Sequence, residues 1–364
     1  MTTGEGIRQG VSVVNWSQAV LHLDMDAFFV NVHRLEHPED VGIPLAVGGQ
    51  PEHRGVIAYA SYEARQFGIR SAMPSKTALR LCPQLKIVGH NWSPISEYSR
   101  KVIAILKEYG SVEQISVDEA YVDLSDAGDP TQLAFEIRQR VKGETKLPTS
   151  VGLSKSKLVA KVASDHDKPE GCTIVLPGQE AAFLAPQPVR VIPGIGPKTA
   201  EKLSGLEIET CGDLAAKDLS TLQKYFGSHA ESLQRRAMGI DKRRVATERG
   251  QRKSISHERT FSQDVGDPDT LHKTMRDMAT WIAKSLEKRN MVAHTVRVKF
   301  RWADFTTFTR QMSFAVGTDD KAQIYRAGLT LFEKHWREGR RIRLIGLGVS
   351  GLEEPEVRQF DFGF

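Results

Sequence analysis

Two short acidic motifs carry side chains that could bind cations. Leu23-Asp24-Met25-Asp26 is followed directly by the aromatic pair Phe28-Phe29, and Ser116-Val117-Asp118-Glu119 lies farther along the chain. Clustered carboxylates repel one another, so a fold that gathers them usually does so around cations. Oxygen ligands without His or Cys partners suit Mg²⁺ or Mn²⁺ better than zinc. Two such ions can stabilise the attacking and leaving oxygens of a phosphoryl displacement. Alternatively, these residues are surface acids at strand ends.

Each motif needs a strand to position it. The apolar run Val20-Leu21-His22-Leu23 predicts a buried strand that ends at Asp24, and residues 115–124 predict strand interrupted at Asp118-Glu119. Neighbouring side chains on a regular strand point to opposite faces of the sheet. Either the chain bends at these two acids and brings both to one site, or only one of them is a direct ligand.

The elements around these strands predict a layer of helices and strands. Strands that enclose helices in this way indicate an α/β (α+β) multidomain fold with a carboxylate-bearing rim. The predicted elements are a strand at 55–58, a helix at 61–67 stopped by Gly68, a helix between Pro74 and Pro83, a helix capped by Ser93 with Pro94 at its first position and closed by Gly110, a helix at 132–141, a strand at 149–153 and a helix from Ser154.

The segment from Gly171 to about Asp241 is predicted to be mostly helical. At its centre, the run 192–200 contains Gly194, Gly196 and Lys198. A Gly-x-Gly hairpin that opens a helix exposes successive backbone N–H groups, and the lysine adds positive charge beside them. This helix-hairpin-helix pattern suits contact with a DNA phosphate irrespective of the base. The alternative is an ordinary turn between two helices.

The C-terminal part predicts a second small domain after a basic linker. Residues 242–253 lack an apolar period, and Lys253 ends this stretch. From Arg252 onward the order strand, helix, strand, strand, helix, strand indicates a split βαβ sandwich. In its second strand, alternation places one set of residues on the packed face (Val292, His294, Val296, Val298 and Phe300) and the cations Arg297, Lys299 and Arg301 on the other, next to Thr307, Thr309, Gln311 and Ser313. That second face is predicted to meet phosphates, although a merely solvated face is the ordinary alternative.

Bulk composition agrees with several domains and a polyanionic partner. A chain of 364 residues exceeds the size at which one core keeps growing, so two to four subdomains are expected. No apolar run is long enough to span a membrane, and the start lacks a secretory signal pattern. Cys82, Cys172 and Cys211 are widely spaced, which predicts reduced thiols in a cytoplasmic protein. The net charge is +5, and the stretch 242–259 alone carries seven Lys/Arg and two Glu.

Further cations are placed to hold phosphates. Arg65 follows Tyr62 on one predicted helix, while Lys157 and Lys161 share a face of another, with Lys168 just beyond its end. Positive side chains over a carboxylate–metal site offset the charge of a departing pyrophosphate. Together with the paired acids they specify a nucleotidyl-transfer site, with nucleic acid held by the flanking domains.

The sequence resembles the Y-family DNA polymerases, and most closely their bacterial DinB (DNA polymerase IV) branch. The resemblance runs in order from about residue 19 to the C-terminus. It is carried by His22-Leu23-Asp24-Met25-Asp26-Ala27-Phe28-Phe29, Gly55-Val56-Ile57, Ser61-Tyr62-Glu63-Ala64-Arg65, Gly68-Ile69-Arg70-Ser71-Ala72-Met73-Pro74, Ser116-Val117-Asp118-Glu119-Ala120-Tyr121 and the run 152–169, which ends in Lys168-Pro169.

The resemblance implies a right-hand polymerase with palm, small fingers, helix-hairpin-helix thumb and a βαββαβ little-finger domain. The expected boundaries are a tail at 1–18, a palm at 19–27 and 90–168, fingers at 28–89, a thumb at 169–241, a basic linker at 242–252, a DNA-binding little finger at 253–352 and a C-terminal tail at 353–364.

By the same resemblance, Asp24, Asp118 and Glu119 would be the catalytic acids and side-chain ligands of two Mg²⁺ ions, with Mn²⁺ as the alternative metal. The inner shell would be completed by the Met25 carbonyl. Phe29, beside Phe28 in the nucleotide pocket, would be the steric gate against a ribose 2′-OH. Other inherited roles are triphosphate binding by Tyr62, Arg65 and Lys161, and a roof of Val56 and Ala72 over the nascent base pair. Tyr59 departs from the family, where a small hydroxyl residue often touches the triphosphate.

The last residues predict a docking peptide. Gln359 is followed by the alternating aromatics Phe360, Phe362 and Phe364, which have no following chain to cover them. Exposed apolar anchors of this kind suit a partner's hydrophobic groove. The segment resembles the peptide by which bacterial polymerases bind the sliding clamp, although it could also fold back on its own domain.

The implied function is template-directed, low-fidelity DNA synthesis of the translesion type, with primer-template DNA, dNTP and the sliding clamp as partners. The enzyme is expected to be monomeric, cytoplasmic and not bound to a membrane. Two alternatives stay open. A nucleotide cyclase with a palm-like fold would also use paired acids but would not need the DNA-gripping features, and an inactive DNA-binding scaffold would not need the intact acids.

Overall fold

The structure, a computed structural model, describes residues 16–248, 250–337 and 339–355. They form two compact units. The first comprises the described parts of Met1–Val47, Tyr59–Gly68 and Gly89–Arg249, and the second those of Gly48–Ala58, Ile69–Val88 and Gly250–Phe364. The first fifteen residues of the predicted tail and the predicted clamp-binding motif lie outside the described residues. Across the described ranges, no helix has the length and apolar character needed to cross a lipid bilayer.

A five-stranded sheet forms the centre of the first unit. Its order is β5-β6-β1-β7-β8, with β1 between two antiparallel neighbours and β7 parallel to β8. All six residues of β1 are buried because the strand is central and covered on both faces. The strands are β1 (Val20–Met25), β5 (Ser111–Gln114), β6 (Glu119–Asp123), β7 (Thr149–Ser154) and β8 (Cys172–Ile174).

The predicted break at the second acidic motif is present as a bend at residues 116–118, between β5 and β6. The Ser116 hydroxyl accepts hydrogen bonds from the backbone N–H groups of Asp118 (3.3 Å) and Glu119 (2.9 Å). A serine that bonds to the backbone in this way favours a turn over continued strand. Of the two alternatives drawn from the sequence, the chain therefore adopts the bend.

Helices cover the sheet, and their ends follow cap chemistry. They are α1 (Phe28–Glu36), α4 (Trp92–Lys107), α5 (Pro130–Thr145) and α6 (Lys157–His166). The predicted Ser93 cap was wrong, because Asn91 caps α4 by accepting the Ser93 N–H at 3.2 Å. The start predicted for α6 was also wrong, because Ser154 belongs to β7 and Ser156 is the cap.

The close approach of α6 to the sheet depends on a glycine in β7. A Cβ atom added at Gly152 would lie 2.1 Å from the Ala160 carbonyl oxygen and 2.3 Å from the Ser164 nitrogen. No side chain can be accommodated there without moving the helix away from the strand. The buried His22 of β1 bonds through Nδ1 to the Ser164 hydroxyl at 2.7 Å, which fixes the helix from the sheet side.

Beyond β8 the first unit is helical, as predicted. Its helices share a core that includes Leu203, Leu214 and Leu222. Gly194 has φ +94°, a left-handed conformation that favours glycine, and α8 begins after Gly196 with Pro197 at its first position. The helices are α7 (Glu180–Leu184), α8 (Pro197–Ser204), α9 (Cys211–Ala216), α10 (Leu219–Phe226) and α11 (Ala230–Ala237).

The C-terminal part of the second unit has the predicted order of strands and helices. Its sheet has the order β11-β10-β12-β9 with antiparallel pairs throughout, and two helices pack on one face. The elements are β9 (Ser254–Val265), α12 (Pro268–Glu287), β10 (Val292–Trp302), β11 (Thr307–Thr318), α13 (Lys321–Glu333) and β12 (Ile342–Glu353).

One detail of the alternation in β10 was wrong. The pairing register shifts between Ala293 and Thr295, so Ala293 enters the core at 1% exposure while His294 is partly exposed. Opposite the step from Ala293 to Thr295, β11 runs from Thr318 back to Ser313, so the extra residues lie in β11 and the regular alternation of faces does not extend through this point. From Val296 onward the buried side of the predicted alternation is confirmed, because Val296, Val298 and Phe300 are fully buried.

The segment between α1 and α4 holds short elements. They are β2 (Leu45–Gly48), β3 (Ile57–Ala60), α2 (Tyr62–Arg65), α3 (Ser75–Leu81) and β4 (Lys86–Val88). The strand predicted at 55–58 therefore lies two residues later. Within the second unit, Arg54 donates to the Asp264 carboxylate at 2.5 Å, which joins the 48–58 segment to β9.

Candidate active site

The carboxyl-bearing ends of β1 and β6 bring the predicted acids together. Asp24 and Glu119 are opposite each other in the antiparallel register of these strands. One residue on, the Met25 N–H donates to the Asp118 carbonyl at 2.9 Å. Asp24, Asp118 and Glu119 therefore occupy one edge of the central sheet, although they come from distant parts of the chain.

Two lysines neutralise two of these acids. Lys168 Nζ lies 2.8 Å from Asp24 Oδ1, and Lys161 Nζ lies 2.7 Å from Glu119 Oε1. Both lysines were predicted from the sequence as cations near the acidic site, with Lys161 as a triphosphate ligand. In the structure both ammonium groups bind the predicted catalytic carboxylates directly, a pairing that was not predicted. Lys157, which was predicted to share a helix face with Lys161, pairs instead with Glu113 at 2.5 Å.

Asp118 is held by two hydroxyl groups. Tyr59 donates to its Oδ2 at 2.6 Å, and Ser116 donates to its Oδ1 at 2.6 Å. Burial, followed by the hydrogen bond to Asp118, raises the pKa of Tyr59, so the phenol remains protonated and acts as the donor. Neither contact was predicted from the sequence, because a distance between distant residues leaves no local pattern.

The acids differ in charge preference. Burial raises the pKa of Asp24 to about 7, against the opposing pull of Lys168. Burial would also raise the pKa of Glu119, but its neighbours His22 and Lys161 outweigh that effect and hold the pKa below its usual range. Burial lowers the pKa of His22, whose Nε2 lies 3.9 Å from Glu119, too far for a direct hydrogen bond. At this sheet edge an ionised Glu119 carboxylate therefore lies beside an Asp24 carboxylate that is easily protonated.

Asp26, the other acid of the first motif, is part of the framework. It is 1% exposed and accepts hydrogen bonds from the Ser150 hydroxyl (2.9 and 3.0 Å), the Glu170 N–H (2.8 Å) and the Tyr62 hydroxyl (3.2 Å). All its acceptor positions are directed at protein donors. This arrangement indicates that Asp26 has a structural role, in which its buried carboxylate connects β7, the loop at residue 170 and α2, rather than a role as a metal ligand.

The oxygen atoms of Asp24, Asp118 and Glu119 are the type of ligand that hard divalent cations prefer. Within residues 16–248, 250–337 and 339–355, no three His, Cys, Asp or Glu side chains are already arranged as a metal-binding group. The three acids nevertheless offer only oxygen ligands, and Asp24 and Glu119 are paired with lysine ammonium groups that a cation could replace. Asp24, Asp118, Glu119 and the Met25 carbonyl would hold such ions.

The predicted gate residue is enclosed by aromatic rings. Phe29 is 6% exposed, and the Tyr59 ring stacks on it with centroids 4.1 Å apart and planes 17° apart. The edges of Trp92 (5.6 Å) and Phe28 (5.8 Å) meet it from other sides. Phe28 is fully buried and belongs to the core. Because Tyr59 also donates a hydrogen bond to Asp118, Phe29 is connected to the acids through the Tyr59 side chain.

The two other predicted triphosphate ligands lie on α2. The Arg65 guanidinium stands over the Tyr62 ring, 4.5 Å from its centroid, and its Nε donates to the Ala60 carbonyl at 3.1 Å. Burial raises the pKa of Tyr62 to about 12, so its hydroxyl stays a donor. This stacking orients the guanidinium while leaving its terminal nitrogens for a ligand.

The predicted roof residues belong to the second unit. Val56 is 50% exposed and pairs with Pro74 in an isolated bridge, while Ala72 is exposed with φ +66°. Small exposed side chains agree with the proposed roof, whose role stays a prediction.

The predicted thumb hairpin is exposed. Gly194, Gly196 and Lys198 all face solvent at the start of α8. A Cβ at Gly194 would lie 3.5 Å from both terminal nitrogens of Arg236, a cation on α11 that the sequence analysis did not identify. The hairpin N–H groups therefore have a guanidinium beside them, which favours an anion there.

The basic sheet face is also present. Arg297 is exposed and donates to Gln311, while Arg301 donates to the Thr307 hydroxyl at 2.7 Å. Lys299 pairs with Glu258 at 2.8 Å, so one predicted cation is partly neutralised. A cavity of about 300 Å³ lies over this face, lined by Ser254, Ser256, Arg297, Lys299 and Thr309 among others. Lys253 is exposed just before β9.

Comparisons with known proteins agree with this arrangement. Three family models match: "impB/mucB/samB family" at residues 23–165, "impB/mucB/samB family C-terminal domain" at 252–362, and "DNA polymerase-iota, thumb domain" at 190–241. The matched segments contain the acidic edge, the basic sheet and the hairpin, respectively.

Full-length relatives extend the match. The chain is 40% identical to DNA polymerase IV of Halorhodospira halophila, over 94% of this chain and 97% of that protein. It is 38% identical to DNA polymerase IV of Listeria monocytogenes, over 93% and 96%. The solved structure of a Y-family DNA polymerase chimera, Dbh-Dpo4-Dbh, aligns with a TM-score of 0.82 at 25% identity, covering 92% of this chain and 99% of that one.

These matches cover both the fold and the site. The chain belongs to the Y family of DNA polymerases, in the DNA polymerase IV branch, and is a DNA-directed DNA polymerase. The predicted mixed α/β fold, with a helical thumb and a C-terminal little finger, is confirmed.

Proposed function

We propose that this enzyme extends primers by low-fidelity, translesion-type synthesis through two-metal-ion nucleotidyl transfer. The observation that carries the proposal is the gathering of Asp24, Asp118 and Glu119 at one sheet edge with two lysines on their carboxylates. Substrates would be primer-template DNA and dNTP. When bound, two Mg²⁺ ions would supply Lewis acidity for attack by the primer 3′-OH and departure of pyrophosphate.

The protein's own groups would position this reaction. The Asp24 and Glu119 carboxylates are paired with Lys168 and Lys161, so the site holds its acids in place before any cation arrives. Lys168 and Lys161 would be available to a triphosphate when Asp24 and Glu119 hold divalent ions instead. Arg65, oriented by its stack on Tyr62, adds a third positive group. Together they would offset the charge that accumulates on the leaving group.

Selectivity for deoxyribose would come from Phe29. Its ring is held nearly buried by three aromatic neighbours, so it cannot easily swing aside to admit a 2′-hydroxyl. Low fidelity would follow from small roof residues, Val56 and Ala72, which give a nascent pair little lateral support. Within the predicted boundaries, no segment is assigned to a proofreading exonuclease.

DNA would be held without regard to sequence. The hairpin at Gly194 and Gly196, with Lys198 and Arg236 beside it, offers N–H groups and charge to a phosphate. The basic face of the little finger, with Lys253, Arg297, Lys299 and Arg301, would also contact the DNA backbone.

Other parts of the proposal come from the sequence. Residues 359–364 would bind the sliding clamp, and loss of clamp stimulation with unchanged basal extension on their deletion would support this role. The predicted domain boundaries, monomeric state and cytoplasmic location are part of the same proposal.

The decisive experiment is primer extension with Asp118→Ala and Glu119→Ala. Each variant should lose extension in Mg²⁺ by at least about three orders of magnitude, as expected when a metal ligand is removed, while DNA affinity stays near wild type. Asp126→Ala is the matched control, because Asp126 is an exposed acid close by in sequence. Extension near the wild-type rate in either active-site variant would contradict the assignment.

A further inference from the structure

Tyr59 makes two contacts that a small hydroxyl residue could not make together. Its ring lies face to face on Phe29, with centroids 4.1 Å apart and planes 17° apart. Its hydroxyl donates to Asp118 Oδ2 at 2.6 Å. One side chain on β3 thus touches both the predicted sugar gate and a predicted metal ligand.

The surroundings of Phe29 show what the Tyr59 ring adds. Trp92 and Phe28 approach Phe29 at steep angles, with planes 78° and 69° from its own. These two contacts alone would leave the Phe29 ring free to move parallel to its own plane. Tyr59 covers the face of that ring, and because its hydroxyl is fixed to Asp118, the covering ring is itself held in place.

We propose that Tyr59 is a specificity-determining residue that braces the gate: its ring, anchored through its hydroxyl on Asp118, holds Phe29 against the space a ribose 2′-hydroxyl would need. The inference rests on the gate role proposed for Phe29. A ribonucleotide could enter only if Phe29 moved, and Phe29 could move only if the stack with Tyr59 separated.

The size of the effect follows from the contact. A stacked aromatic pair stabilises its geometry by an amount equivalent to roughly two- to tenfold in an equilibrium constant. Loss of the ring should therefore raise ribonucleotide use relative to deoxyribonucleotide use by roughly that factor. Loss of the hydroxyl alone keeps the stack and removes only its anchor, so the rise should be about twofold at most.

The test is steady-state insertion of one dNTP and the matching rNTP opposite the same template base. Tyr59→Ser removes the ring, Tyr59→Leu keeps apolar bulk without a planar face, and Tyr59→Phe keeps the ring. We expect the rNTP/dNTP ratio of kcat/KM to rise roughly two- to tenfold in the first two, through a lower KM for rNTP, and to stay within about twofold of wild type in Tyr59→Phe. General damage to folding would lower kcat/KM for rNTP and for dNTP by the same factor and leave their ratio unchanged. The ratio therefore reports on the gate alone.

The Phe29→Ala variant distinguishes failure of the gate role of Phe29 from failure of the bracing role of Tyr59. If Phe29→Ala leaves the ratio unchanged, the gate assignment itself fails. If Phe29→Ala raises the ratio but both Tyr59→Ser and Tyr59→Leu match wild type, the gate stands and the brace is refuted. A rise in Tyr59→Phe equal to that in Tyr59→Ser would also refute the brace, because the ring would then contribute nothing.

Discussion

Asp24 and Asp26 lie two residues apart, yet the structure predicts opposite consequences for their loss. In Asp26→Ala the Glu170 N–H loses its acceptor in a buried position, and the Ser150 and Tyr62 hydroxyls lose theirs. Hydrogen bonds to a charged group contribute about 1.5–3 kcal/mol each, and the two shortest here therefore sum to roughly 3–6 kcal/mol. At about 2–4 °C per kcal/mol, the melting temperature should fall by about 10 °C.

Asp26→Asn should be much milder. The amide oxygen can still accept the Glu170 N–H, while the Ser150 and Tyr62 hydroxyls can rotate to accept from the new NH₂ group. We expect a loss of about 1–2 kcal/mol and extension within about tenfold of wild type. Asp24→Asn is the matched comparison. It should abolish extension but leave the melting temperature close to wild type, because Asp24 sits where burial already disfavours its charge.

The assays are thermal unfolding followed by circular dichroism and primer extension well below the melting temperature, on the same four proteins. If Asp26→Ala melted like wild type yet had no activity, Asp26 would act in the reaction rather than in the framework. A large fall in the melting temperature of Asp24→Asn would equally refute the division of roles.

Three further predictions follow from the same contacts. Gly152→Ala should lower stability by about 1–3 kcal/mol or more, because its Cβ would lie 2.1 Å from the Ala160 oxygen, whereas Gly143→Ala, with open space around its Cβ, should be neutral or stabilising in thermal unfolding. Lys168→Met should raise the KM for dNTP about tenfold or more with unchanged DNA affinity, and an unchanged KM would exclude it from triphosphate binding. Replacing Arg297, Lys299 and Arg301 together by Ala should flatten the dependence of log DNA affinity on log salt by up to about three, and a smaller change is expected for Lys299→Ala alone because Glu258 already pairs with it.

The sequence predicted the elements whose apolar residues form a clear pattern. The short apolar run before Asp24 forms a buried strand, and the strands and helices after Arg252 follow the predicted order, so the type and order of these elements were correct. Errors fell where a single polar contact decides a boundary. Asn91 rather than Ser93 caps its helix, and the register shift after Ala293 moved His294 off the core.

The site was predictable in its acids but not in their partners. Asp24, Asp118 and Glu119 stand in distinctive motifs, and the bend at Ser116 could be deduced from the need to bring both acids to one edge. The contacts of Tyr59 and Lys168 with these acids, and the place of Arg236 beside the hairpin, carried no such signal, because they depend on distances between segments far apart in the chain. Tyr59 differs in size from the small hydroxyl residue that is common in the family, but the sequence does not indicate that its ring stacks on Phe29.

The position of β1 in its sheet has a consequence for how the enzyme is made. Asp24 leaves the ribosome early, but its strand pairs with Glu119–Asp123 on one side and with Thr149–Ser154 on the other. Until translation has passed Glu119–Asp123 the first strand has neither neighbour, and until it has passed Thr149–Ser154 it lacks the second; such long-range pairing is slow to form. Fragments released before residue 118 would expose an unpaired apolar strand and would lack Asp118 and Glu119, so such premature termination produces a species prone to aggregate rather than a partly active polymerase.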